Sequence, residues 1–295
     1  MFKQPMTFLL PEEPITNMRL WRRLVLRTCA ETGIKHIVLR EEMLSRFLSE
    51  REDISDVLED IKEFGLDFVD AHATFGLRLD LNCPYPEFRA RAIAIHKAEL
   101  VLCNQLNVDT ITIHVGNNGF MPPEQEPPLE QHLRWISESL EQLLPDAERL
   151  GVTICIENIW WPTSTPERLL EFKRQFPTDY LGFCYDSGHA NVMRDLGYKE
   201  CNADVWLKLG YDKPEWDTQI LEKMLPYVVN CHLHDNHGQF DEHLRPGAGN
   251  IDWPHIVGLL KKAPKLRCIQ CETTCLRSGS TQKQLADAMN RLSDM

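Results

Sequence analysis

The chain has 295 residues, 43% hydrophobic and 26% charged, with a formal net charge of −12, the balance of an ordinary soluble globular protein. No apolar run reaches the ~20 residues that a membrane helix needs, and the start, Met1-Phe2-Lys3-Gln4-Pro5, lacks a signal peptide's apolar core, so a cytoplasmic protein is expected. The acidic total weighs against nucleic acid, whose binders carry a basic face.

Two periodicities alternate along the chain. Apolar, β-branched runs that read as strands fall at 6–10, 34–39, 66–71, 110–115, 152–156, 180–185, 228–233 and 266–271. Stretches with helical spacing lie between and after them, at 20–32, 54–64, 87–106, 130–150, 166–175, 217–225, 253–261 and 281–292. Thr165-Pro166-Glu167 and Asp252-Trp253-Pro254 carry helix-start signals, a capping residue with proline in the first turn. Gly33, Gly65 and Gly151 stand where a helix stops before a strand. Eight βα units in alternation predict a single (β/α)8 TIM barrel spanning residues 1–295 as one domain. A doubly wound open sheet is disfavoured, because no strand leads into G-x-G-x-x-G or a Walker loop. The proline-rich stretch 121–128, after the fourth strand, is a candidate lid or rim.

Ligand-type side chains recur at the carboxyl ends of six successive strands, where a barrel places its chemistry. His72 ends the third strand, His114 the fourth, Glu157 the fifth, and Asp186 with His189 the sixth. His232 and His234 lie near the end of the seventh, Asp241 and His243 in the loop beyond it, and Glu272 at the end of the eighth. Imidazole and carboxylate together suit a borderline divalent cation. Burying such charges at the ends of apolar runs would be expensive unless they were paired or metal-bound. His232 and His234 cannot easily reach one ion, so His232 is the expected ligand and His234 is assigned a structural role. Ten cysteines occur; Cys268 and Cys271 form a C-x-x-C whose side chains would point to opposite faces of a strand, so reduced thiols are expected.

These residues carry a resemblance. Asp70-Ala71-His72, Ile113-His114-Val115-Gly116, Ile156-Glu157-Asn158, Tyr185-Asp186-Ser187-Gly188-His189, His232-Leu233-His234-Asp235-Asn236, Asp241-Glu242-His243, Pro246-Gly247-Ala248-Gly249-Asn250-Ile251-Asp252 and Cys271-Glu272 resemble the xylose-isomerase-like barrel superfamily. That superfamily contains sugar isomerases and epimerases and also endonuclease IV. The resemblance implies one catalytic divalent ion on Glu157, Asp186, His232 and Glu272, of Mn, Co, Mg or Zn type. Its nuclease branch implies up to three ions, with His72, His114, His189, Asp241 and His243 as further ligands and Glu157 shared.

The expected activity is a divalent-metal-dependent isomerase or epimerase acting on a sugar or sugar phosphate, by proton transfer through a metal-stabilised ene-diolate. Glu157 and Glu272 form the acid/base pair. His72, His114, His189, Asp241 and His243 serve as second or third metal ligands or as substrate contacts. Arg245, with the glycines after it, is a candidate for a substrate phosphate, and Trp160, beside Trp161 and Phe75, for shielding the substrate. A nuclease acting at abasic sites is the alternative, but the segments Pro11-Glu12-Glu13-Pro14, Arg40-Glu41-Glu42 and 121–128 set carboxylates where DNA phosphates would lie. A dehydratase acting on a sugar or inositol shares the enolate chemistry. The expected partner is a small-molecule substrate, with no nucleic acid and no membrane, and the chain is open to homo-oligomerisation.

Overall fold

The computed structural model describes residues 1–10, 18–51, 53–76, 79–116, 121–122, 124–195 and 204–295. In chain order the elements are β1 (Met6–Phe8), α1 (Met18–Glu31), β2 (His36–Leu39), α2 (Glu41–Leu48), α3 (Ile54–Glu63), β3 (Asp67–His72), α4 (Pro86–Gln105), β4 (Thr110–Ile113), α5 (Leu129–Leu150) and β5 (Thr153–Glu157). There follow α6 (Pro166–Gln175), β6 (Leu181–Asp186), α7 (Ser187–Val192), α8 (Asp204–Lys208), α9 (Ile220–Met224), β7 (Val228–Leu233), α10 (Trp253–Leu260), β8 (Cys268–Cys271), α11 (Cys275–Ser278) and α12 (Gln282–Asp294). All eight strands pair in parallel with their sequence neighbours, and β8 returns to β1 through Thr7 opposite Gln270. This is a closed eight-stranded (β/α) barrel, as the alternation predicts. Among the described residues no helix is long and apolar enough to cross a membrane.

The sequence reading differs from this at particular places. Arg40-Glu41-Glu42 is not a free loop: β2 runs straight into α2, with Glu41 and Glu42 in its first turn, where acids complement the helix dipole. The helices α2, α7, α8 and α11 are too short to show a period in sequence. Pro11–Pro14 lies outside the described residues.

Strand alternation sets the two faces of the wall. Ile111, Ile113, Ile154, Ile156, Phe183 and Tyr185 belong to the apolar core under the helices. Alternate positions line the barrel lumen, and these are small, polar or thiol: Asp70, Thr112, Cys155, Cys184, Asn230 and Gln270, all buried. Two residues further along that face stand His72, His114, Glu157, Asp186, His232 and Glu272, so one period-two register carries the whole set to one mouth. Cys268 faces inward, its thiol donating to Asn230 Oδ1 (3.2 Å), whereas Cys271 packs in the outer core. The nine described cysteines are unbridged, as the split C-x-x-C predicts.

The loop from β7 to α10 is built on Asp235. Its carboxylate accepts from the backbone N–H groups of Asn236 (3.0 Å), Gly247 (2.8 Å) and Ile251 (3.3 Å) and from the Trp253 indole (2.9 Å). Gly249 fits only without a side chain, since a Cβ there would lie 2.2 Å from the Asn236 carbonyl oxygen. The glycines after Arg245 thus wrap an internal carboxylate. Hydrogen bonds to a charged acceptor contribute about 1.5–3 kcal/mol each. Asp235→Ala should therefore lower unfolding stability by about 3 kcal/mol or more, and Asp235→Asn by less, read from urea midpoints at constant m-value.

Candidate metal centre

Glu157 stands at the centre of the mouth, fully buried. Its Oε1 lies 3.2 Å from His232 Nδ1 and 3.4 Å from His189 Nδ1. Its Oε2 lies 2.9 Å from His114 Nε2 and 4.0 Å from His72 Nε2. His232 Nδ1 also approaches Glu272 Oε1 at 3.1 Å, which joins β5, β7 and β8. Asp186 ends β6 and caps α7, accepting from the His189 N–H (2.6 Å); this turn swings His189 back over the mouth.

Among the overlapping groups whose ligand atoms lie within 4.8 Å of one another, three together take in all ten of these side chains: His72, His114 and Glu157; Glu157, Asp186, His232 and Glu272; and His189, His234, Asp241 and His243. The structure brings together every metal-ligand candidate named from the sequence. It also corrects the treatment of His234. That imidazole lies beyond the strand, its Nε2 3.1 Å from both Asp186 oxygens and 3.6 Å from Asp241 Oδ1, and it stacks on His243 with centroids 4.0 Å apart. It belongs to the third set. Period-two reasoning placed it with His232, but the chain leaves the strand at Leu233.

Three imidazoles are held by the protein backbone. The Nδ1–H groups of His72, His189 and His243 donate to the carbonyls of Ala73 (2.9 Å), Asn158 (3.0 Å) and Glu272 (2.8 Å). Each Nε2 is thereby turned into the site, the second-layer arrangement that orients metal-binding histidines. His243 adopts a left-handed backbone, φ 50°, which is uncommon for a residue other than glycine and concentrates at functional sites.

The electrostatics agree. Burial pushes the Glu157 carboxyl up, but His232, His114 and His189 outweigh it and hold the group well below the usual range. Glu272 is held low in the same way, against burial, chiefly by His232. Burial opposes charge on His189, yet Asp186, Asp241 and Glu157 push it well above an ordinary imidazole. Glu157 Oε2, Asp241 Oδ1 and Glu272 Oε2 are buried without an aligned hydrogen bond. Crowded carboxylate oxygens and imidazole nitrogens that leave acceptors unmatched fit a divalent cation's donor set.

A cavity of about 380 Å³ opens on this cluster, lined among others by Arg40, Glu41, His72, Phe75, Asp80, His114, Trp160, Trp161, His189, Asp241, His243, Glu272 and Arg277. Trp160 packs edge-on against His189, centroids 4.9 Å apart, where a shielding residue is expected. Arg245 is not among the lining residues; the arginines there are Arg40 and Arg277. Arg40 bonds both Glu41 and Glu42 at 2.9 Å. None of the described residues of 121–128 lines the cavity. Asp80 and Arg277 escaped the sequence reading because neither sits at a strand end.

Close packing around the cluster is testable. A Cβ at Gly188 would fall 1.9 Å from His234 Cε1. Gly188→Ala should therefore displace that ring and lower stability by about 1–3 kcal/mol, seen as a shifted His234 imidazole resonance and a reduced urea midpoint with an unchanged far-UV spectrum.

Comparison with known proteins places the chain in a family. The family model described as "Xylose isomerase-like TIM barrel" matches residues 26–295. An uncharacterized protein of Methanocaldococcus jannaschii, MJ1311, is 25% identical over 220 residues, 72% of this chain and 67% of that protein. The structure of 3-keto-D-glucoside 4-epimerase, YcjR, from E. coli has a TM-score of 0.71 at 15% identity and covers 99% of this chain and 100% of that one. IolI, crystallised with a bound zinc atom, has a TM-score of 0.69 at 18% identity, with 98% and 96% covered.

Proposed function

The chain belongs to the xylose isomerase-like TIM barrel family, and from that premise we propose that it is a divalent-metal-dependent isomerase or epimerase of a free or phosphorylated sugar. The observation that carries this reading is the set Glu157, Asp186, His232 and Glu272, with ligand atoms within 4.8 Å, on the ends of four successive strands beside a cavity lined in part by aromatic rings. The epimerases and the zinc-bearing IolI among its structural neighbours support it.

Glu157, Asp186, His232 and Glu272 would hold a divalent ion, which would supply polarisation of substrate oxygens and stabilisation of the negative charge developing on them. Glu157 and Glu272, from β5 and β8, take a proton from the carbon beside the carbonyl and return one, the substrate passing through an ene-diolate. His189 and His243 offer hydrogen bonds to substrate hydroxyls. Trp160, Trp161 and Phe75 limit access of water to the reacting carbon.

The test is exchange of substrate hydrogen with deuterated water over a panel of ketoses and aldoses. The wild type should incorporate deuterium at one carbon of at least one sugar; no exchange anywhere would sink the reading. Asp186→Ala and His232→Ala should each lose bound metal and more than about 100-fold in activity, since loss of even the outer-layer partners of such ligands costs 10–100-fold. Full metal retention in both would refute the ligand set. Protons compete for His232 and His189, whose values are pushed up against burial by surrounding acids, so metal binding must release protons. Apparent zinc affinity should rise with pH between 6 and 8, with proton release visible calorimetrically in buffers of different ionisation heat.

A second reading follows from the adjacency of the three ligand sets, which also suits a trinuclear phosphodiesterase. Against it stand the acidic first turn of α2 and the net charge of −12. Three zinc ions per chain with cleavage of an abasic-site duplex, and no sugar exchange, would decide for the nuclease.

A further inference from the structure

Asp80 is a cavity-lining carboxyl that belongs to none of the ligand sets. It is 2% exposed, and its Oδ2 is buried without a hydrogen-bond partner. Among the described residues its carboxylate forms no ion pair. Its position is rigid. The Leu79 carbonyl is bonded by His96 Nε2 from α4 (3.3 Å), the Leu81 carbonyl by Ser139 Oγ from α5 (2.8 Å), and the Asp80 carbonyl by the Cys83 N–H (3.1 Å). A segment anchored at each of three successive residues holds against the cavity an acid that has no ion pair among the described residues, an arrangement that costs free energy unless something in the cavity uses it.

Glu157 and Glu272 are both engaged by His232, whose Nδ1 lies 3.2 Å from Glu157 Oε1 and 3.1 Å from Glu272 Oε1. Burial pushes Asp80 up to about 7, against the opposing influence of His114 on the β4 loop and His96 on α4, the latter paired with Glu99 at 2.7 Å.

We propose that Asp80 is a catalytic acid of this site, the group that protonates a substrate oxygen. The inference rests on the proton-transfer reading above. As Glu157 or Glu272 takes the carbon-bound proton, the C–H bond breaks and its electron pair becomes the new C=C bond. The carbonyl π pair moves to oxygen, which receives the Asp80 proton and leaves Asp80 as carboxylate. When a carbonyl re-forms, the O–H proton returns to Asp80, the glutamate that took the carbon-bound proton gives a proton back to carbon, and no net proton is consumed.

Asp80→Asn keeps the shape and removes the acid. It should lower the exchange kcat by about 10²–10⁴-fold, with KM within a few-fold and metal content unchanged. The wild-type profile should lose activity as pH rises through about 7, and the variant should lack that limb. Asp80→Ser is the companion should the amide fail to fold, with the same loss expected. A wild-type minus Asp80→Asn infrared difference spectrum of metal-loaded protein should show a protonated carboxyl band that disappears between pH 6 and 8. Wild-type exchange matched by the variant, in rate and pH profile, overturns Asp80 alone; absence of exchange in the wild type overturns the parent reading. A difference spectrum without the carboxyl band overturns Asp80 whatever the substrate.

Discussion

Glu157 carries charge where no water reaches it, at the centre of a barrel mouth. An isolated carboxylate in that position would be prohibitive, because desolvation of a buried ion is repaid only by close partners of opposite charge or by a cation. Four imidazoles, from the ends of β3, β4 and β7 and from α7, stand within 4.0 Å of its two oxygens. His72 and His189 are set in turn by backbone carbonyls and His232 by a second acid, Glu272. The placement of His72, His114, His189 and His232 follows from the need to compensate one carboxylate, and Glu272 and Asp186 close the ring.

The surroundings serve the same end. Asp235 gathers the β7–α10 loop around itself, and an antiparallel bridge from Asp235 to Leu244 holds His243 beside the mouth in a left-handed conformation. Asp186 both caps α7 and faces His234. Beneath the cluster the lumen is polar rather than branched and apolar, with Asp70, Thr112, Asn230 and Gln270 where TIM barrels commonly stack Val, Ile and Leu. Burial pushes Asp70 up to about 6, so the layer below the site is itself weakly acidic.

A barrel of this kind accommodates many chemistries, and the site decides among them. Here acidic side chains and imidazoles line the cavity, Arg40 is tied to two glutamates, and aromatic rings form one wall. That combination suits a small polyhydroxylated substrate held among hydrogen-bonding groups and shielded from bulk water.

Much of this was legible in the chain. Strand alternation is strictly local, so a period of two in 66–71, 152–156 and 266–271 fixes which side chains share a face, and His72, Glu157 and Glu272 follow at the next inward position. The parallel alternation with helices then leaves one closed topology and one mouth. What the chain could not reveal lies where local period ends. His234 looks like the structural neighbour of His232 until the strand stops at Leu233 and the backbone turns it toward Asp186. Arg245 looks like an anion site until Asp235 is seen to take the N–H groups around it. Asp80 carries no signal at all, because its burial depends on helices α4 and α5 folding over a loop from elsewhere in the sequence. The sequence by itself determined the barrel, its mouth and the inward-facing ligand types, since these rest on nearest-neighbour geometry; the pairing of charges, the identity of the uncommitted acid and the walls of the cavity were decided only by tertiary packing, because desolvation and charge compensation depend on groups far apart in the chain.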